Sequence, residues 1–234
     1  MATSPGDDGR LARGAATRSL LLTAGAELLV EQASAGSEKW RQMLSVRELS
    51  ERTGRSSGAF YKQFGGMDEY WDHLLRWILD PAWFGVQLDA DGNLLEGAWE
   101  QALREAAGPA EGLGKLGAAA AEDVRQLCDG ASRHGVVAWL AAQPEAGVDG
   151  TPLNAALAHH YDVFDTATRA VYGQLMREIG HPLEAPQLQQ LALVVTANVE
   201  GAWQRWRSSS SAQPVLAELC GRSVTAFARE LVGG

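Results

Sequence analysis

Ser57, Ala59, Lys62 and Gln63 fall on one side of a short stretch whose other side carries Phe60 and Phe64, four residues apart. Wound as an α-helix, the two phenylalanines point inward together and the polar side chains point out. Such a set suits recognition rather than catalysis. A Gln amide offers a donor and an acceptor that match the edge of adenine, and a Lys ammonium reaches guanine or a phosphate. Gly58 lets a neighbouring surface approach the backbone closely. Arg10, Arg13 and Arg18 precede this stretch and read as a basic arm able to meet phosphates or a minor groove.

The elements that must hold those residues are legible nearby. Ser45-Val46-Arg47-Glu48 is an S-x-x-E capping box, in which the Ser hydroxyl and Glu carboxylate satisfy each other's free backbone N–H groups. The helix it starts, VRELSERT, stops at Gly54, the residue type that best tolerates the left-handed conformation after a helix. Arg55 follows in the turn, and Ser56 and Ser57 each offer an N-cap for the next helix, which ends at Gly65-Gly66. Two short helices joined by a Gly-containing turn form a helix-turn-helix. An earlier helix from Ala15 to about Ala33 places Leu21, Ala24, Leu28 and Leu29 on one face. Residues 67–79 follow as an amphipathic helix carrying Met67, Tyr70, Trp71, Leu74, Leu75 and Ile78 at helical spacing. Asp80-Pro81 ends it.

Beyond it, helical periodicity recurs over 94–107, 116–128, 132–142, 153–179, 186–207 and 214–231, broken by Gly- and Pro-rich segments. No segment alternates as a strand does. The expected fold is all-α, with a disordered tail over 1–14, a three-helix helix-turn-helix domain over 15–66 and a helical body over 67–234.

The stretch SVRELSERTGRSSGAFYKQFGGMDEYWDHLL resembles the DNA-binding segment of the tetracycline-repressor (TetR) family. Ser45, Val46, Glu51, Gly54, Ser56, Gly58, Tyr61, Phe64, Glu69 and Leu74 carry the match. The resemblance implies that Tyr61 donates its hydroxyl to a phosphate and that Ser45 offers its hydroxyl and helix N-terminus to another. It implies a DNA-contacting set of Ser45, Arg55, Ser56, Ser57, Gly58, Ala59, Tyr61, Lys62 and Gln63. It further implies a small-molecule effector bound in the body, and a homodimer made by 186–207 and 214–231. Three departures stand out. The connection between the first and second helices is about seven residues longer than usual. Arg55 replaces a common apolar residue. Met67 stands where the family often carries a phosphate-seeking Lys, a loss that Lys39, Arg41 or Arg55 would have to compensate.

Charge is divided in the same sense. The whole chain of 234 residues carries −9, yet residues 1–64 hold nine Lys/Arg against seven Asp/Glu, and the remainder holds eleven against twenty-two. The first quarter can approach phosphates and the rest is repelled by them. No apolar run reaches the roughly 20 residues that span a bilayer, and the N-terminus lacks a secretory apolar core, so a cytoplasmic protein is expected. Cys128 and Cys220 lie far apart without a metal-binding spacing and read as buried free thiols.

In the body, His134, Trp139, His159, Tyr161, Tyr172, Asn198 and Trp203 are the candidate effector-binding residues, because small-molecule sites between helices are aromatic with a few polar groups. Each also reads as ordinary core or interface packing. Adjacent His159 and His160 point about 100° apart on a helix, so no metal site is assigned, and no cofactor is expected. The reading is a DNA-binding regulator, a repressor in its simplest form, controlled by an effector. Two alternatives stay open: a helix-turn-helix protein that no longer binds DNA, and a small helical enzyme using His134, His159 or His181 with a carboxylate. Against the enzyme, the sequence holds no nucleophile elbow, HExxH, P-loop or dinucleotide glycine motif.

Overall fold

In the structure, a computed structural model, the described residues are 5–34, 44–129, 131–208 and 212–233; the side chains of 5–12, 32–34, 83, 129 and 131–134 are not among them. Ten α-helices follow in order: α1 (Pro5–Ser34), α2 (Val46–Thr53), α3 (Ser57–Gln63), α4 (Met67–Ile78), α5 (Ala98–Ala107), α6 (Gly114–Asp129), α7 (Ala131–Ala141), α8 (Pro152–Glu178), α9 (Ala185–Ser208) and α10 (Gln213–Gly233). Among the described residues there is no strand, only one antiparallel bridge between Leu88 and Leu94. The all-α expectation holds.

Three boundaries differ from expectation. α1 begins at Pro5, ten residues before the expected start, so 5–14 is helix rather than loose tail. Pro is well tolerated at a first helical position. α5 begins at Ala98 rather than Leu94. Asp89 Oδ1 accepts from the backbone N–H groups of Asp91 and Asn93 at 2.9 and 2.8 Å, and Leu95 N–H donates to the Gln87 carbonyl at 2.8 Å. That Asp-centred hairpin uses the backbone groups a helix would need. The third difference is one of packing: α4 belongs with the helices before it.

The chain forms two compact units, one of residues 1–80 and 132–157 and the other of 81–131 and 158–234. In the first, α1 packs against α2, α3 and α4. Leu21, Leu29, Leu49, Phe60, Phe64, Tyr70, Trp71, Leu74 and Ile78 form its core. Leu28 is only half-buried, and Leu22 and Ala26 are buried beside Leu21. The Tyr70 hydroxyl donates to the Leu21 carbonyl at 2.8 Å, and a Cβ on Gly25 would lie 1.9 Å from that hydroxyl. Gly25 therefore lets α4 seat against α1. In the second unit, α6 packs against α5, α9 and α10. Leu116, Val124, Val171, Leu191, Val195, Ala217 and Val224 are buried there.

Candidate nucleic-acid interface and buried polar cluster

The capping box forms as its spacing requires. Ser45 Oγ accepts from Glu48 N–H at 3.2 Å, and the Glu48 carboxylate accepts from Ser45 N–H at 2.9 Å and from the Ser45 hydroxyl at 2.8 Å. The Ser45 hydroxyl is thus engaged with a carboxylate, and a phosphate at this helix end would have to displace Glu48. Gly54 adopts φ 64°, the left-handed conformation that turns the chain from α2 towards α3. Of the two candidate serines, Ser56 caps α3, accepting from Ala59 N–H at 3.2 Å.

Phe60 and Phe64 anchor α3. Both are buried, with ring centroids 5.4 Å apart, and each meets Tyr70 of α4 at 5.3 and 5.0 Å respectively. The opposite side of α3 is open. Arg55, Ser56, Ser57, Gly58, Tyr61 and Lys62 are exposed, while Ala59 and Gln63 are half-buried. Tyr61 keeps 58% of its surface and sets its ring edge-on against Phe60. A hydroxyl presented this way is free to donate, and an exposed Lys one residue on supplies charge.

Gln63 and Arg18 are placed differently from expectation. The Gln63 amide nitrogen lies 3.9 Å from where a Cβ on Gly14 would stand, so it rests along α1. Arg18 donates to the Gln63 carbonyl at 3.4 Å, and its guanidinium lies 4.9 Å from the centre of the Phe64 ring. Arg18 is therefore a packing residue of α1 against α3, not part of a basic arm. Arg13 is exposed. Lys39 and Arg41 lie outside the described residues, and the Arg10 side chain is not among those described.

The effector candidates are divided between the two units. Trp139 is half-buried in the first unit, and the side chain of His134 is not among those described. The other five are in the second unit, where His159 is exposed. Asn198 is half-buried and spends its amide on the Val194 carbonyl one turn back, at 2.7 Å, which answers its need for a partner within its own helix. Tyr161 on α8 hydrogen-bonds Glu200 on α9; burial, which disfavours the charged forms, pushes the pKa of both upward, and the Tyr161 phenol stays neutral far above neutral pH. Tyr172 is fully buried with no hydrogen-bond partner for its hydroxyl, and the Trp203 indole N–H is likewise buried without one.

Sequence reasoning overlooked a further group. Asp123 of α6 is buried and accepts from the Trp99 indole of α5 at 3.0 Å. Burial pushes its carboxyl up to about 6, against the pull of the Trp99 hydrogen bond, with Glu122 adding to the rise. The Tyr172 hydroxyl and the Cys220 thiol both feel the Asp123 charge, and burial pushes Cys220 up to about 12. A signal was present: Asp123 continues the buried row Leu116, Ala119, Ala120 at helical spacing, and an acid on an apolar stripe marks an unusual site. Among the described residues no group of three or more His, Cys, Asp or Glu side chains is placed to hold a metal.

No family model matches the chain. Nor does any curated protein sequence. Solved structures do match in fold. One from Rhodococcus sp., described as a TetR-family transcriptional regulator, is 17% identical, with 92% of this chain and 98% of that one covered and a TM-score of 0.55. A transcriptional regulator from Pseudomonas aeruginosa is 17% identical over 93% and 90%, with a TM-score of 0.56. The regulator FadR from Bacillus subtilis, solved with stearoyl-CoA, is 10% identical over 89% and 98%, with a TM-score of 0.55. The chain has the all-helical fold of TetR-type transcriptional regulators, as the resemblance in residues 45–75 implied.

Proposed function

We propose that the chain is a DNA-binding transcriptional regulator, a repressor whose operator affinity a small molecule controls. The single observation that carries the reading is α3. Its apolar side is held in the core by Phe60 and Phe64, while Tyr61 and Lys62 are exposed on the other side, as a helix that enters a major groove requires. Ser45, Arg55, Ser56, Ser57, Gly58, Ala59 and Gln63 complete the proposed contact set. Selection of genomic fragments by the purified protein, followed by sequencing, identifies the operator. On that operator Lys62→Ala weakens binding and reduces the slope of log affinity against log salt by about one, the counterion released at one phosphate contact. An unchanged slope removes Lys62 from the interface.

A reader that works on two half-sites needs two copies held at fixed distance. α9 and α10 supply a surface for that. On α9, Pro186, Gln190, Leu193, Ala197, Gly201 and Gln204 are exposed in one uncharged row, and on α10 Val215 and Leu219 remain about half exposed. Leu219 and Ser223, which share the helical spacing of the buried Leu216 and Cys220, face outward. Uncharged rows with small residues at their centres fit helix-on-helix packing between two copies. The chain is accordingly a homodimer in the cytoplasm, at twice 25.0 kDa in sedimentation equilibrium. The double variant Leu193→Arg with Leu219→Arg sediments as a monomer and loses operator affinity at least tenfold. A variant that stays dimeric places the interface elsewhere.

A second reading, a fold of this type that has lost DNA, is favoured by one feature. The first turn of α4 carries Met67 with Asp68 and Glu69, two acids and no base. The same fragment selection decides: recovery of no enriched sequence supports this reading over the first. No helix among the described residues is long and apolar enough to cross a membrane.

A further inference from the structure

An open groove of about 510 Å³ runs along the crossing of α6 and α10 in the second unit. Its floor is made of small residues, Gly114, Gly117 and Ala121 from α6 and Gly221 and Ala226 from α10. Thr225 also lies there, and its hydroxyl donates to the Gly221 carbonyl at 2.9 Å. The floor carries no charge. The rim does: Arg125 of α6 and Arg222 and Arg229 of α10 stand there with one acid, Glu218.

That balance reverses the rest of the body. Residues 65–234 hold eleven Lys/Arg against twenty-two Asp/Glu, whereas the groove holds three against one. A positive lining set in an acidic body attracts an anionic occupant. The guanidinium groups are available to it. Arg222 lies 3.7 Å from Glu218 and Arg125 lies 2.8 Å from Glu122, all on the surface. Exposed pairs of this kind contribute little and can be exchanged for others. Arg229 is exposed and has no ion-pair partner among the described residues.

Shape narrows the choice of anion. The groove is open along its length, whereas a small-molecule site encloses most of its ligand. From Glu218 to Arg229 the α10 wall runs about 16 Å, three helical turns. Small side chains in the floor let another helix come close, as α10 itself comes close to α6. Arg222 and Arg229 lie seven residues apart, so they share one side of α10, and carboxylates seven apart on a docked helix meet them both. A nucleic-acid backbone suits the groove less well. Its phosphates follow one another without a gap, and some would fall against Glu218 and Glu122. A helix can place an uncharged residue there.

We propose that the α6–α10 groove is a docking surface for an acidic helix of another protein, with Arg125, Arg222 and Arg229 pairing its carboxylates. The docking does not depend on DNA binding by α3.

Fluorescence anisotropy of the full chain tests it with alanine-based helical peptides that carry Glu, Gln or Lys at i, i+7 and i+14. The Glu peptide binds at least fivefold more tightly than the Gln peptide, the Lys peptide binds least, and added salt narrows the gap. Arg222→Glu with Arg229→Glu inverts the order, so that the Lys peptide binds best. Arg76→Glu with Arg177→Glu, the same change of charge at two exposed positions outside the groove, leaves the order as it was. Equal binding of the Glu and Gln peptides overturns the proposal. So does an order that survives reversal in the groove, or one that either pair of reversals inverts. Should the groove variant fail to fold by circular dichroism, Arg229→Gln decides: it reduces the preference for Glu at least twofold, and no reduction counts against the groove. Two other occupants would also overturn the proposal. Displacement of the Glu peptide by a random DNA duplex marks a polyanion surface. An assembly heavier than a dimer that the groove variant dissolves marks a second copy of this chain.

Discussion

Gly221→Ala lowers stability by about 3 kcal/mol, the upper end of the usual penalty for overpacking a core. Gly221 is where α10 crosses α6. A Cβ there would stand 2.4 Å from the Gly117 carbonyl oxygen and 3.1 Å from its carbon, and a Cβ on Gly117 would stand 2.7 Å from the Gly221 oxygen. These neighbours are backbone, so no rotamer change relieves the overlap. The helices must separate, and with them the packing of Leu116, Ala120, Ala217 and Val224. Gly221, in the interior of α10, sacrifices about 1 kcal/mol of helix propensity for this approach, which indicates the least the close crossing returns. Thermal melting followed by circular dichroism reads the change as a fall of about 6–12 °C in Tm. A change under about 0.5 kcal/mol, the ordinary scale of a neutral surface substitution, would mean the two helices can part freely.

Asp123→Asn has the opposite sign and depends on pH. The Asp123 carboxyl moves from an ordinary 3.8 to about 6 on folding, chiefly because burial disfavours its charge. The folded state therefore holds this proton more tightly than the unfolded state. The contribution is fully present below about 3.8 and is lost as pH rises through about 6. The shift corresponds to about 3 kcal/mol on an order-of-magnitude scale. Asn is always neutral and still accepts from Trp99. The variant is accordingly more stable than the parent by about 2–3 kcal/mol near pH 8, and the difference closes towards pH 4. Urea denaturation of both proteins at several pH values measures it. A constant difference across pH would show that Asp123 is not the titrating group.

These two sites contrast with the α2–α4 region, where local chemistry was enough. The Ser45–Glu48 capping box, the left-handed Gly54 and the inward pair Phe60 and Phe64 each follow from residue type and spacing within one or two turns. The Leu94 start of α5 was misread because Leu94 and Leu95 continue an apolar pattern, whereas Asp89 closes a hairpin whose hydrogen bonds come from the backbone. Leu219 shares the helical spacing of the α10 core yet is about half exposed, because periodicity identifies an apolar face without saying what covers it. Asn198 drew attention as a polar residue on an apolar face, yet its own helix satisfies it.

The sequence by itself determined the class of fold, the order and approximate extent of ten helices, and that Phe60 and Phe64 of α3 face inward while Ser57 and Lys62 face outward, because these depend on contacts within a few residues of one another. Tertiary structure alone decided that Arg18 serves Phe64, that Gly117 and Gly221 touch, and that Asp123 meets Trp99. Those pairs are separated by 24 to 104 residues of chain. Whether a buried charge is paired or unpaired depends on which helices arrive beside it, and no local pattern of residues encodes that arrival.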